Sequence, residues 1–273
     1  MSQEFNRPHL GRLGWCLKQP ISEMEAYVID LRLGDCFATN GLPSLADRSV
    51  DVTITDPPFD ARAHRAAVEL GPRVAGKRSV AGELPFPPLD AAKLVEVAQH
   101  FVRVTRSWIV IFSGERQVEA WAAALEAAGA RVVRFGLALR TNPRPQMSGD
   151  RPAPPADFLV IAYATPGRMK WNGRGKAGVW KSPPARWDTG GKTAHPTQKP
   201  RALMRALVED FSNPGELVCD PFAGSGTTAV TCKELGRRFV GWEIDLGFHA
   251  VACARVLQAV EQGQLTTPGA SAG

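Results

Sequence analysis

The sequence predicts an α/β fold: a doubly wound, mostly parallel sheet covered by helices on both faces, with an antiparallel hairpin at one edge. Three observations predict it. Short β-branched or wholly apolar runs alternate along the chain with segments whose apolar residues recur at helical spacing. A glycine-rich turn joins one such strand directly to one such helix, near residue 222. Two further strand-like runs, RVVRFGLALR (131–140) and DFLVIAYA (157–164), flank a proline-rich connection with no helical pattern between them, which suggests the hairpin.

Residues 1–26 show no sustained period and are read as an N-terminal arm. YVIDLRLGD (27–35) is a strand ending at Gly34 and Asp35, and SVDVTITD (49–56) is the next, ending at Asp56. Residues 60–88, rich in Arg, Gly and Pro, read as a long functional or mobile loop. LDAAKLVEVAQHFVRV (89–104) is a helix, SWIVIFSG (107–114) a buried strand, and QVEAWAAALEAAG (117–129) a helix closed by Gly129. After the hairpin, TQKPRALMRALVEDF (197–211) is an amphipathic helix with Pro200 in its first turn. Glu216 to Asp220 form a strand, Phe222 to Gly226 a turn opening a helix, and Phe239 to Glu243 the following strand. Residues 262–273 read as a disordered tail.

At 273 residues, 44% hydrophobic and 22% charged, the chain suits one large domain, placed at 27–250. No apolar run approaches the roughly 20 residues that span a bilayer, and the N-terminus lacks a signal-peptide pattern, so a cytoplasmic protein is expected. The cysteines (Cys16, Cys36, Cys219, Cys232, Cys253) form no CxxC pair. Buried reduced thiols are expected, and neither a metal site nor a disulfide framework.

The net charge of +6 is concentrated. Between Arg140 and Lys199 eleven Lys or Arg face three Asp, a net +8, which leaves −2 for the other 213 residues. Trp171, Trp180 and Trp187 lie within this segment, about 140–195. Cations interleaved with flat rings suit a nucleic-acid contact, the cations taking phosphates and the rings stacking on bases. Lys170, Arg174, Lys176, Lys181 and Arg186 are its candidate DNA-binding residues. The plainer alternative is a solvated loop whose tryptophans pack on the core.

Two stretches carry the chemistry. In TITDPPFDA (53–61) a buried strand ends at one carboxylate, Asp56, followed by Pro57, Pro58 and Phe59. Two prolines fix φ and hold their predecessors extended, so Asp56 and Phe59 sit on a stiff bracket rather than an ordinary turn. In GELVCDPFAGSGTTAVTCKELGRRFVGWEID (215–245), strand, glycine turn, helix and strand are followed by an acid, Glu243, 17 residues beyond Gly226. That arrangement suits a nucleoside cofactor: glycines let the backbone approach the ligand and the distal acid takes ribose hydroxyls. NAD fits less well, because Ala229 stands where the third glycine of GxGxxG would fall.

Taken together, LGD (33–35), DPPF (56–59), HPTQKP (195–200), DPFAGSGTT (220–228) and GWEID (241–245) resemble one family, the S-adenosylmethionine-dependent DNA amino-methyltransferases of the β arrangement. The resemblance covers about 27–250. It implies a circularly permuted, Rossmann-like methyltransferase sheet with a small DNA-recognition insert. It further implies S-adenosyl-L-methionine as cofactor and methyl transfer to the exocyclic N6 of adenine in a flipped base of a short duplex target. Asp56 and the carbonyl of Pro57 would accept hydrogen bonds from the amino group, Pro58 would stiffen the bracket, and Phe59 would stack on the base. The family more often has Tyr at that last position, so a hydroxyl is missing while the stacking face is kept. The cofactor pocket would be shaped by Asp220, Phe222, Ala223, Gly224, Ser225, Gly226 and Thr227, with Glu243 on the ribose and Asp35 at the adenine. Thr197 and Lys199 would hold the cofactor carboxylate. Double-stranded DNA is the implied partner, and a second subunit and a cognate restriction enzyme are further ones.

Asp at position 56 resembles the N6-adenine members more than the N4-cytosine members, and the N4-cytosine enzyme is the alternative within the class. An enzyme acting on RNA or a protein glutamine is disfavoured by the basic, tryptophan-bearing segment. A non-catalytic DNA-binding protein with a decayed methyltransferase fold is disfavoured by the intact Asp56, glycine turn and Glu243.

Overall fold

A computed structural model of the chain describes residues 28–58, 89–143, 149–150, 152–185 and 198–265. The arm expected at 1–26 and the loop expected at 60–88 lie outside the described residues. The strands are β1 (Ile29–Leu33), β2 (Val52–Thr55), β3 (Trp108–Ser113), β4 (Arg131–Arg140), β5 (Ala156–Tyr163), β6 (Val179–Ser182), β7 (Leu217–Asp220) and β8 (Arg238–Glu243). The helices are α1 (Ala91–Val104), α2 (Val118–Ala127), α3 (Arg201–Phe211), α4 (Thr227–Glu234) and α5 (Leu246–Leu265).

The strands form one sheet in the order β1-β8-β7-β2-β3-β5-β4-β6. β5 runs antiparallel to both of its neighbours and every other pairing is parallel. As expected for doubly wound sheets, the central strands are covered on both faces: β2 and β3 are buried at every residue. Their alternate residues serve two cores. Val52, Ile54, Val110 and Phe112 meet Leu203, Leu207, Val230 and Ala252 from α3, α4 and α5, while Ile109 and Ile111 meet Leu94, Phe101, Trp121 and Leu125 from α1 and α2. The Asp90 carboxylate caps α1 by accepting from the Lys93 N–H (2.8 Å), and Gly129, at φ +96°, ends α2.

In register, Leu33 lies beside Glu243, Asp220 beside Gly241 and Thr55 beside Ile111, so the carboxyl ends of β1, β8, β7, β2 and β3 line one rim. The order β1-β8-β7-β2 is the one the motifs require.

Three expectations need correction. The β4–β5 hairpin does not form the sheet edge, because β6 pairs parallel with β4 outside it. Its sequence, VWKS, is short and reads as part of a basic loop, yet alternation exposes Val179 and Lys181 and buries Trp180 and Ser182. The basic segment is therefore not one insert, since it contributes both β5 and β6 to the sheet. Finally, α5 continues to Leu265, into the stretch expected as tail, because adding a residue to an existing helix is far less costly than starting one, even at Gly263. A smaller difference is that Pro200 precedes the first turn of α3 as its N-cap.

Cys36, Cys219, Cys232 and Cys253 are buried free thiols, and burial pushes the first three well above the usual thiol range. Among the described residues no helix is long and apolar enough to cross a membrane.

Candidate active site

The site occupies the rim where the parallel strands end. β2 delivers Asp56 there directly after Thr55, and Pro57 and Pro58 follow outside any helix or strand. The Nζ of Lys199, just before α3, donates to Oδ2 of Asp56 at 2.6 Å. The same ammonium lies 3.7 Å from Oδ2 of Asp157, at the start of β5, and 4.8 Å from the ring centroid of Phe112 on β3. Arg140, the last residue of β4, forms a short ion pair with the other oxygen of Asp157. Acid and base thus alternate across three strand ends and a helix start, in the order Asp56, Lys199, Asp157, Arg140. The Oδ1 of Asp56 is buried and has no hydrogen-bond partner among the described residues. Burial pushes the Asp56 carboxyl upward while the Lys199 charge opposes it. Burial works against the Lys199 ammonium, but Asp56 and Asp157 more than offset it and the group is raised.

Beside this chain stands a second carboxylate. Asp220, at the end of β7, accepts from Thr55 Oγ1 (2.7 Å), Thr228 Oγ1 (2.6 Å) and the Phe222 N–H (3.2 Å). Burial nevertheless raises it to about 6. Its oxygens are taken up in joining β2, the glycine turn and α4, so it braces the pocket wall.

The turn leaves β7 with Gly224 at φ +54° and Gly226 at φ +73°, conformations that residues with a Cβ adopt at a cost. Arg255 of α5 clamps it, donating to the Ser225 carbonyl (2.5 Å), Ser225 Oγ (3.0 Å) and Thr227 Oγ1 (3.2 Å). Glu243, buried at the end of β8, accepts from the Asp245 N–H at 2.8 Å and from the Gly224 N–H, and burial pushes its carboxyl up. The Gly34 N–H donates to the Glu243 carbonyl (2.9 Å), which brings Asp35 alongside. Asp35 is exposed and accepts from the Phe37 N–H, and the Phe37 ring meets Phe222 edge to face at 6.4 Å.

Of the residues singled out in the sequence, Asp35, Asp56, Pro57, Pro58, Lys199, Asp220, the turn from Phe222 to Thr227, and Glu243 gather at this rim. Phe59, Thr197 and Arg186 lie outside the described residues. Lys181 sits on β6 opposite Leu139, toward the same rim. Lys170, Arg174 and Lys176 do not. Trp108, which begins β3 at its far end, donates to the Lys170 carbonyl (2.5 Å), and Lys176 pairs with Asp210 (2.7 Å) near the C-terminus of α3, about 15 Å of helix from Lys199. Two of the tryptophans are core rather than base-stacking groups. Trp180 is 6% exposed and donates to Asp210 Oδ2, and both Trp171 and Trp180 pack on Phe211. Sequence reading missed Thr55, Phe112, Arg140, Asp157, Gln198 and Arg255. Gln198 lies inside HPTQKP and Thr55 inside TITDPPFDA, but Phe112, Arg140, Asp157 and Arg255 sit in no motif.

Residues 50–253 match the family described as DNA methylase, of N6 and N4 type. The chain belongs to the N6/N4 DNA methylase family. Two proteins of Escherichia coli K12 are similar to parts of this chain. YubD is 40% identical over 80 residues, and the DNA adenine methyltransferase YhdJ 46% over 78 residues. These matches cover 28% and 29% of this chain but only 35% and 26% of the two proteins. Among solved structures, that of the M1.HpyAVI–SAM complex superposes with a TM-score of 0.63 at 26% identity, covering 84% of this chain and 99% of that chain. PvuII DNA methyltransferase, cytosine-N4-specific, gives 0.61 over 86% and 92% at 15% identity, a likeness of fold.

Proposed function

We propose that this methylase transfers a methyl group from S-adenosyl-L-methionine to the N6 amino group of adenine in duplex DNA, with the base turned out of the helix. The observation that carries the reading is the Asp56 carboxylate. One oxygen is held by Lys199 and the other is buried and unpartnered among the described residues, at the same rim as the glycine turn and Glu243. A buried acceptor without a donor is costly, and an incoming NH2 supplies the donor.

The residues present fit the cofactor. A turn that holds Gly224 and Gly226 at positive φ lets backbone approach a ligand, and the buried Glu243 follows on the neighbouring strand. Gln198 adds an orphaned donor: its Nε2 is buried without a partner among the described residues while its Oε1 lies 3.5 Å from Ser225 Oγ of that turn. We assign Phe222 to Thr227, Gln198 and Thr197 to the methionine part, Glu243 to the ribose and Asp35 to the adenine. The bound cofactor supplies an electrophilic methyl on a sulfonium centre.

The chain's own part is positional. The lone pair of an exocyclic amino group is delocalised into the ring. Hydrogen bonds from that group to Asp56 Oδ1 and the Pro57 carbonyl orient the nitrogen and favour tetrahedral geometry, while the two prolines limit backbone drift. Phe59 stacks on the extruded base. Among the described residues, burial holds the Cys36, Cys219 and Cys232 thiols toward the neutral form, which makes them poor nucleophiles for a covalent route. Adenine is favoured by Asp at position 56 and by the partial similarity to YhdJ. Duplex DNA as partner and a bacterial or phage cytoplasm as setting follow from this activity. So does the prospect of a cognate restriction enzyme or a second subunit. The test is transfer of tritium from methyl-labelled S-adenosylmethionine to duplex DNA, RNA and protein in parallel. Label in DNA alone is expected, and label in RNA or protein without DNA contradicts the proposal.

A further inference from the structure

The geometry points to Lys199 as the positioning residue for Asp56, held in place by Asp157, rather than as a ligand of the cofactor carboxylate. This rests on the function proposed above. Lys199 sits one residue from Gln198, which reaches Ser225 of the cofactor turn, yet its own Nζ turns the other way. It lies 2.6 Å from Asp56 Oδ2, 3.7 Å from Asp157 Oδ2 and 4.8 Å from the Phe112 ring centre, and its side chain is only 13% exposed. Two carboxylates and a π face therefore fix the ammonium. Arg140 pairs with Asp157 from β4, so the far end of the chain is anchored as well.

Three consequences follow for the amino group. Pinning Oδ2 sets the rotation of the Asp56 carboxylate, so that Oδ1 alone faces an incoming donor. The positive charge opposes the burial that favours the neutral acid at Asp56, and so works toward the ionised form, which is the better acceptor. Among the described residues the groups acting on Asp56 are Lys199, Asp157, Arg140 and, on neighbouring β7, Asp220, and Lys199 donates to it directly. Balance is simple: the amino nitrogen gains the methyl carbon, the sulfur–carbon bond pair stays on sulfur, and the nitrogen sheds one proton. With Oδ2 occupied by the ammonium, Oδ1 is the oxygen placed to take that proton on its way to solvent.

The experiment compares wild type, Lys199→Met, Lys199→Arg and Asp157→Asn. Cofactor binding is measured by calorimetry, single-turnover methyl transfer to duplex DNA across pH 5.5–9, and titration of Asp56 by carbon-13 NMR of labelled aspartate, assigned with Asp56→Asn. Lys199→Met should bind S-adenosylmethionine within about threefold of wild type, lose about a hundredfold in transfer, and raise the Asp56 midpoint and the acidic limb of the rate profile by about one pH unit or more. Lys199→Arg should recover at least tenfold of the loss, and Asp157→Asn should show a smaller version of the same change. A tenfold loss of cofactor affinity with near-normal transfer at saturation, or an unmoved Asp56 midpoint, overturns the inference. The NMR titration decides it even if wild type transfers nothing to DNA, a result that would instead contradict the proposed function.

Discussion

Thr55 donates its hydroxyl to Asp220 across 2.7 Å, tying the strand that presents the amino-group bracket to the strand that opens the glycine turn, although the two residues are 165 positions apart. Asp220 in turn receives Thr228 Oγ1 and the Phe222 N–H, so one buried carboxylate sets how the two halves of the site face each other. Any movement of the cofactor turn relative to Asp56 has to break or stretch these bonds.

That brace should be visible in the pH dependence of stability. Burial raises Asp220 from the ordinary value of 3.8 to about 6. The folded state therefore binds the proton more tightly than the unfolded chain. The associated stabilisation is complete below about pH 4 and is lost as pH rises through about 6, a change of roughly 3 kcal/mol. Asp220→Asn removes the titration. Urea midpoints for both proteins at several pH values from 4 to 8 should show the wild type losing ground to the variant over that window, and parallel curves would contradict the assignment.

Two glycines separate backbone strain from crowding. Gly226 and Gly215 both adopt positive φ, but a Cβ on Gly226 would lie 2.7 Å from the Ala252 Cβ, whereas one on Gly215 meets nothing within 4 Å. Gly215→Ala should cost about 1 kcal/mol from the left-handed backbone alone. Gly226→Ala should cost about 1–3 kcal/mol more, because the turn is pressed onto α5. Equal losses by chemical denaturation would mean the turn is free to move away from that helix.

The basic residues divide by which end of the sheet they occupy. If DNA meets the Asp56 rim, Lys181→Ala should lower the slope of log affinity against log salt by about 0.9, as for one lost phosphate contact. Replacing Lys170, Arg174 and Lys176 together by Ala should leave that slope unchanged. The opposite pattern in fluorescence anisotropy titrations would place duplex DNA at the amino ends of the strands.

Much of the architecture was legible because it is written locally. The strands leading to Asp56, Ser113 and Asp220, the glycine turn and the acid that ends β8 each depend on neighbours within about 30 residues, and these appear where the sequence places them. Trp180 was misread for the opposite reason. Beside Lys181, in a glycine-rich basic run, it looks like a stacking ring, and only the partner strand β4 and the buried Asp210 make it core. Lys199 was similarly out of reach. Its partners Asp56 and Asp157 lie 143 and 42 positions away in sequence, and spacing carries no information about which acid a lysine will meet. α5 passed into the expected tail because polar composition near a chain end says little about a helix already anchored upstream on the sheet.

The measurement that bears most directly on the central claim is nucleoside mass spectrometry of duplex DNA incubated with S-adenosylmethionine and either wild type or Asp56→Ala. Wild type should yield N6-methyladenine. Asp56→Ala should yield less than about a tenth as much while still binding the cofactor, since a lost transition-state contact of this kind costs about 2 kcal/mol or more. N4-methylcytosine alone would contradict the choice of base, and equal product from the variant would contradict the role given to Asp56.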